Sequence, residues 1–154
     1  MKSKVPIYFL LFALTALFLG MFFGVTASFQ YLLPEFLKDQ IPFSKLRPFH
    51  VTSVISWIVL CATGSIYFFL TYTEKFKLFS PLLAKLHFTL FLLTGAAIYF
   101  SFLFDYTEGR EYFAFTPVLI VPILVGWLLF GVNYFKILYK NIKNWPVYYW
   151  MWGT

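Results

Sequence analysis

Two histidines, His50 and His87, are the side chains of this sequence best suited to hold a metal ion or a heme iron. Neutral imidazole is a common ligand of iron and of other transition metals. They stand near the starts of consecutive apolar segments, which would cross a membrane in opposite directions. At 1.5 Å rise per residue, they would then lie roughly 20 Å or more apart in depth. We therefore expect that they do not share one metal.

His50 follows Arg47 and Pro48 and is predicted to open a helix. At about 100° per residue, four further residues fall within about 40° of its direction on that helix: Trp57, Cys61, Gly64 and Phe68. Small and flat neighbours would let a planar macrocycle approach the imidazole closely. The same stripe is also typical of simple helix packing, and His50 can equally be an interfacial histidine bonded to a loop carbonyl.

Two other sites are weaker candidates. His87, close to Lys85, is predicted to be an interface residue on the cytoplasmic side. Glu111, in a charged stretch between two apolar segments, either binds a cation or pairs with Arg110, and the alternative is a solvated turn around Gly109. Nucleophile and base pairs, glycine-rich phosphate loops and paired carboxylates within the apolar segments are not found, so catalysis by this chain alone is not expected.

The composition indicates a lipid-embedded protein. Of 154 residues, 61% are apolar, 25% aromatic and 12% charged, whereas soluble domains carry about 25% charged residues. The apolar content excludes disorder. The net charge of +6 comes from basic residues scattered between apolar runs, which argues against nucleic-acid binding. The single cysteine, Cys61, excludes a disulfide framework.

Four stretches are long enough to cross the bilayer, since a spanning helix needs about 20 mostly apolar residues. They run approximately from Val5 to Tyr31, Val51 to Tyr72, Leu82 to Phe104 and Phe115 to Tyr139. Because backbone polar groups in hydrocarbon must be paired within a segment, these runs predict helices. We expect an all-α membrane bundle of four transmembrane helices plus the start of a fifth, in a single transmembrane domain over residues 1–154.

The distribution of basic residues predicts the orientation, because Lys and Arg in short loops favour the cytoplasm. One side would carry eight basic residues and the single acid Glu74: Lys2, Lys4, Lys75, Lys77, Lys85, Lys136, Lys140 and Lys143. The other side would carry four basic residues and five acids: Lys38, Lys45, Arg47 and Arg110 with Glu35, Asp39, Asp105, Glu108 and Glu111. Both termini are therefore predicted to be cytoplasmic, and the loops from Leu33 to Phe49 and from Asp105 to Ala114 to face outward.

A further apolar run, from Trp145 to Trp152, follows the fourth segment and carries Pro146 near its beginning, where a helix tolerates it. It is too short to span. Either it lies at the interface, where Trp and Tyr are favoured, or it begins a fifth helix of a truncated or split subunit. The second interpretation is favoured, because the run lacks the charged face of an interfacial helix.

Several short segments in this order resemble the beginning of the catalytic subunit I of the heme-copper oxidase superfamily, in its nitric oxide reductase-like branch. The most specific are Leu46-Arg47-Pro48-Phe49-His50 with Trp57 and Gly64, and Gly109-Arg110-Glu111-Tyr112. Supporting segments are Gln30-Tyr31 with Leu33-Pro34, Trp127 with Asn133, and the run from Pro146 to Trp152.

The resemblance implies that His50 is an axial ligand of a low-spin heme b, with Arg47, Trp57 and Gly64 beside the cofactor. It also implies that Glu111 helps to hold a calcium ion near the heme propionates. Ala114 departs from the pattern, because the reductases tend to carry a second glutamate there. That departure bears on whether this chain shares the ion site and the proton route that the reductases have near this position.

The implied role is that of the N-terminal part of a respiratory oxidoreductase, which holds one side of the heme that passes electrons to a binuclear centre elsewhere in the subunit. The implied partners are the remainder of the catalytic subunit and an electron donor, either a cytochrome c subunit or a quinol, in a bacterial plasma membrane. The alternative is a noncatalytic membrane scaffold or accessory subunit, in which His50 is only an interface residue.

Overall fold

The computed structural model describes residues 3–110 and 112–153, and within them the protein is helical with no strand. The four long helices and the short fifth one are α1 Val5–Leu32, α2 Phe43–Phe68, α3 Pro81–Leu103, α4 Ile120–Leu138 and α5 Val147–Gly153. A π-helical turn, Phe69–Thr73, extends α2, and 3-10 turns flank α4 at Pro117–Leu119 and Tyr139–Asn144. The predicted all-α bundle with a short fifth helix is confirmed.

Each of the four long helices is long and apolar enough to cross a membrane. Their outer surfaces are apolar as well: Phe18 is 66% exposed, Leu93 62% and Leu128 61%. Apolar patches of this extent are not stable against water, whereas acyl chains solvate them. The chain is therefore a multi-pass membrane protein.

Helix α2 begins earlier than the sequence predicted, at Phe43 rather than Val51. Pro42 precedes it in an extended conformation, and its carbonyl accepts hydrogen bonds from the backbone N–H groups of Lys45 and Leu46. Pro48 falls in the second turn, where its missing N–H removes a single hydrogen bond near the helix start. The predicted loop to Phe49 is thus too long, and His50 stands on an established helix.

The helices form two antiparallel hairpins, and small residues mediate the contact within each. In the α1–α2 hairpin, a Cβ added at Gly64 would lie 2.9 Å from Cβ of Phe9. In the α3–α4 hairpin, a Cβ added at Gly126 would lie 2.2 Å from a ring carbon of Phe91. Gly64 and Gly126 therefore allow each pair of helices to approach closely.

Polar contacts mark the two ends of the bundle. At one end, Lys45 Nζ lies 3.0 Å from a carboxylate oxygen of Asp105 and 3.2 Å from the carbonyl of Leu103. We call this end of the bundle the His50 end, and the connections 33–42 and 104–116 also belong to it. At the other, the Tyr72 hydroxyl donates to the carbonyl of Ser3. This is the termini end, with the connections 74–80 and 139–146.

Candidate functional site

The His50 ring lies between α2 and α1. Its Nδ1 atom is 2.8 Å from the carbonyl oxygen of Gly20. A backbone carbonyl only accepts hydrogen bonds, so Nδ1 carries a proton, and in the neutral imidazole Nε2 is then unprotonated. The other ring nitrogen, Nε2, then holds the lone pair that is able to bind a metal.

Two glycines of α1 bring this helix close to α2 at the ring: Gly24 leaves the space for the imidazole, and Gly20 supplies its acceptor and packs against Val54. A Cβ added at Gly24 would lie 2.7 Å from Nδ1 and 2.8 Å from Cε1 of His50. At Gly20, the added atom would lie 3.2 Å from a methyl group of Val54. Any larger residue at position 24 would displace the imidazole, so Gly20 and Gly24 together set where the ring lies.

The residues around His50 fix the rotation of α2. Phe49 stacks on Phe23 of α1 with ring centroids 4.8 Å apart and meets Phe102 of α3 edge-on at 5.4 Å. One turn along α2, the buried Ser53 hydroxyl donates to the carbonyl of Phe49 and is hydrogen-bonded to the Tyr99 hydroxyl. Because Ser53 already donates its proton to that carbonyl, Tyr99 is the donor in the second bond. These contacts hold α2 against α1 and α3 at the level of His50.

The other residues predicted to lie beside a cofactor have different surroundings. Arg47 is exposed, one turn before His50 towards the His50 end, and Trp57 is half-buried on α2. Gly64 is buried against Phe9 and Leu10 of α1, so it serves helix packing. Contact between these three residues and a cofactor stays a prediction.

The predicted calcium ligand, Glu111, lies outside the described residues, so its role is not tested. Beside it, Ala114 is 5% exposed and packs with Phe49, Ile98, Phe102 and Phe115. The position at which the resemblance expects an acid is thus part of an apolar cluster. Among residues 3–110 and 112–153, no group of three or more His, Cys, Asp or Glu side chains could hold a metal ion.

His87 is not the interface residue that the sequence predicted. Its side chain is 0% exposed, in the core between the two hairpins, whereas Lys85 is exposed. At about 100° per residue, two positions differ by about 200° around a helix, so the lysine and the histidine face opposite ways. The prediction took the polarity of Lys85 as a guide to His87 and was wrong for that reason.

The sequence does carry a pattern that indicates the packing role of the two glycines. Gly20 and Gly24 are four residues apart, the spacing at which small residues form a close-packing face on a membrane helix. Nothing in the sequence paired that face with His50. The structure brings together Gly20, Gly24 and His50 and leaves His87 in a separate site.

An apolar cleft of about 750 Å³ also opens between the two hairpins. Its walls include Ile55, Val59, Phe91 and Trp127, and its lining residues with polar side-chain atoms are hydroxyl residues such as Thr52 and Tyr99 and the indole of Trp127. His50 is not among its lining residues. The cleft therefore offers no metal ligand and is distinct from the His50 site.

Comparison with known proteins places these features in a family. Residues 4–154 match the family described as Cytochrome C and Quinol oxidase polypeptide I. The chain is also similar to a subunit of the nitric oxide reductase of Stutzerimonas stutzeri, with 29% identity over 130 residues. That match covers 73% of this chain and 27% of the relative, so the chain spans about a quarter of the length of the curated relative it matches. The chain belongs to the subunit I family of the heme-copper oxidases.

Proposed function

We propose that this chain is the N-terminal part of a respiratory heme-copper oxidase or nitric oxide reductase-like subunit, and that His50 supplies one axial ligand to a low-spin heme b. The observation that carries the proposal is the contact between His50 Nδ1 and the Gly20 carbonyl. Histidines that bind metals generally donate their second ring N–H to a carbonyl or a carboxylate, which fixes the ring and raises the basicity of the ligating nitrogen.

The bound heme would supply one-electron transfer through its iron. The task of this chain is to hold and orient the ligand. The Gly20 carbonyl selects the tautomer with a free lone pair on Nε2, and Gly24, which has no side chain, leaves room for the ring against α1. The bond between Tyr99 and Ser53 keeps α2 in the rotation that this geometry requires.

Three further residues of α2 belong to the proposed site. Arg47 lies one turn before His50 at the bundle end, and its guanidinium group suits a carboxylate such as a heme propionate. Trp57 offers a flat apolar surface on the same helix. Gly64 contributes by letting α1 and α2 approach each other, which supports the His50 contact from within the hairpin.

We infer that the termini end is cytoplasmic. The fold gathers Ser3 and the connections 74–80 and 139–146 at that end, and in the sequence these connections and the residues that flank Ser3 carry most of the lysines. Lysine in short loops favours the cytoplasmic side. The His50 end then faces away from the cytoplasm. We propose that the membrane is a bacterial plasma membrane.

The proposed partners follow from the family. The second heme ligand and the binuclear centre would come from the remainder of the subunit, and electrons from a cytochrome c subunit or a quinol. The proposed calcium ligand is Glu111. A noncatalytic scaffold is the competing function, and it would use the same packed helices without any cofactor.

The test is an optical spectrum of the chain coexpressed with the remainder of its subunit. We expect the bands of a six-coordinate heme b, and we expect His50→Ala to remove them because the iron loses an axial ligand. His87→Phe is the matched control, since it changes the other histidine of the chain and should leave the bands unchanged. A His50→Ala spectrum identical to that of the wild type would overturn the proposal and favour the scaffold.

A further inference from the structure

A second polar site, remote from His50, lies in the half of the bundle near the termini end. The His87 side chain is 0% exposed, and neither of its ring nitrogens has a hydrogen-bond partner. Four aromatic rings surround it, with centroids 4.4 Å away for Phe91, 4.9 Å for Phe9, 5.9 Å for Phe130 and 6.2 Å for Tyr67. These rings come from all four long helices, so the imidazole is closed off from lipid.

Tyr67 of α2 is a second buried residue whose polar atom has no hydrogen-bond partner. The residue is 0% exposed, and its buried hydroxyl makes no close hydrogen bond. The neighbouring polar side chain is that of Asn133 on α4, which lies beyond hydrogen-bonding distance of the hydroxyl. Asn133 in turn accepts from the N–H of Ser80 and donates to the carbonyl of Ser80, each at 2.9 Å. Polar groups thus extend from Ser80, at the start of α3, inward to the cage around His87.

Three buried polar atoms without partners, two on His87 and one on Tyr67, lie on adjoining side chains. Leaving such atoms unpaired is costly in a protein interior and more so within a membrane. Buried water is the usual remedy, because one water molecule both donates and accepts and commonly makes about three hydrogen bonds to groups of this kind. A neutral imidazole offers one donor and one acceptor, and a tyrosine hydroxyl offers both.

We propose that His87 and Tyr67 bind a buried water molecule inside this aromatic cage. The water bridges one ring nitrogen of the imidazole and the phenol oxygen, and the polar groups of Asn133 and Ser80 form its connection to the termini end of the bundle. The site requires no heme and does not depend on His50. The four rings that enclose it come from the four long helices of this chain.

The experiment uses the full subunit, labelled with ¹⁵N-histidine and embedded in lipid nanodiscs, and measures magnetisation transfer from water protons to the histidine ring nitrogens by solid-state NMR. The His87→Phe variant identifies the His87 signals by their loss. We expect the wild-type ring nitrogens to show the chemical shifts of hydrogen-bonded imidazole and to receive magnetisation from water. Tyr67→Phe should abolish most of that transfer, because it removes one of the two groups that hold the water.

Tyr134→Phe is the matched control. It removes a buried hydroxyl of the same core whose partner is already known, the carbonyl of Tyr149 at 2.5 Å, and it should leave the transfer to His87 intact. All three substitutions keep an aromatic ring in place, and unchanged elution in size-exclusion chromatography verifies assembly. Shifts typical of a free imidazole with no transfer from water would overturn the proposal, as would full transfer in Tyr67→Phe.

Discussion

The two histidines of this chain occupy opposite kinds of environment. His50 lies against a glycine surface and bonds to the backbone carbonyl of Gly20, whereas His87 lies among aromatic rings without a partner for either nitrogen. The glycines leave room beside the first ring and provide its acceptor, while the aromatic side chains fill the space around the second. The role of an intramembrane histidine therefore depends on what the neighbouring helix presents to it.

The largest effect is expected at the glycine that faces His50. In Gly24→Leu, the new side chain would occupy the place of the imidazole, since even a Cβ there lies 2.7 Å from Nδ1. Overpacking costs about 1–3 kcal/mol, which corresponds to a loss of roughly 5- to 150-fold in heme affinity. Heme per subunit, measured by the pyridine hemochrome method, should fall accordingly.

Gly131→Leu is the control for that substitution, because a Cβ at Gly131 meets nothing within 4 Å. Its heme content should equal that of the wild type. Full heme content in Gly24→Leu would show that the position of the imidazole against α1 is not needed for heme binding.

The next effect concerns the polar contacts near the His87 cage. Asn133→Leu removes both hydrogen bonds to the backbone of Ser80, which hold the start of α3 against α4. Because the Ser80 groups are only partly buried, leaving them unpaired should cost about 1 kcal/mol, so the unfolding midpoint should drop by a few degrees. Thr15→Val, which removes an exposed hydroxyl bonded within its own helix, should leave the midpoint unchanged. Equal midpoints for the two variants would mean that Asn133 does not secure α3.

A loss of similar size is expected where the α3–α4 hairpin forms the wall of the cage. A Cβ at Gly126 would lie 2.2 Å from the ring of Phe91, so Gly126→Ala must move that ring. The expected destabilisation is about 1–3 kcal/mol, measured as thermal unfolding of the purified protein. Gly95→Ala, which meets nothing within 4 Å, should behave like the wild type. An unaffected Gly126→Ala would indicate that the ring of Phe91 is free to shift.

The smallest effect is expected at the ion pair of the His50 end. Lys45 is paired with Asp105, whose side chain is 77% exposed, so the pair is screened by water. Replacing Lys45 by Met should change the stability by no more than about 1 kcal/mol. A larger loss in thermal unfolding would show that this contact, and not helix packing, joins the two hairpins near His50.

The long apolar runs made the four spans predictable, because length and hydropathy alone define a membrane helix. The same uniform apolar character leaves the buried face of each helix unmarked in the sequence. Lipid and protein core are both apolar, so a membrane helix shows no polar stripe that marks its exposed side. The burial of His87 was missed for lack of such a signal. The start of α2 at Phe43 was missed because Lys45, Arg47 and Pro48 interrupt the apolar run there. The glycine spacing at Gly20 and Gly24 indicated a packing face but not its occupant.

The most direct measurement is a density map of the heme-loaded complex at a resolution that shows side chains. We predict that iron is bonded to Nε2 of His50 while Nδ1 still donates to the carbonyl of Gly20. A heme iron bound by other residues, with the His50 ring bonded to α1 and remote from any porphyrin, would contradict the proposed role.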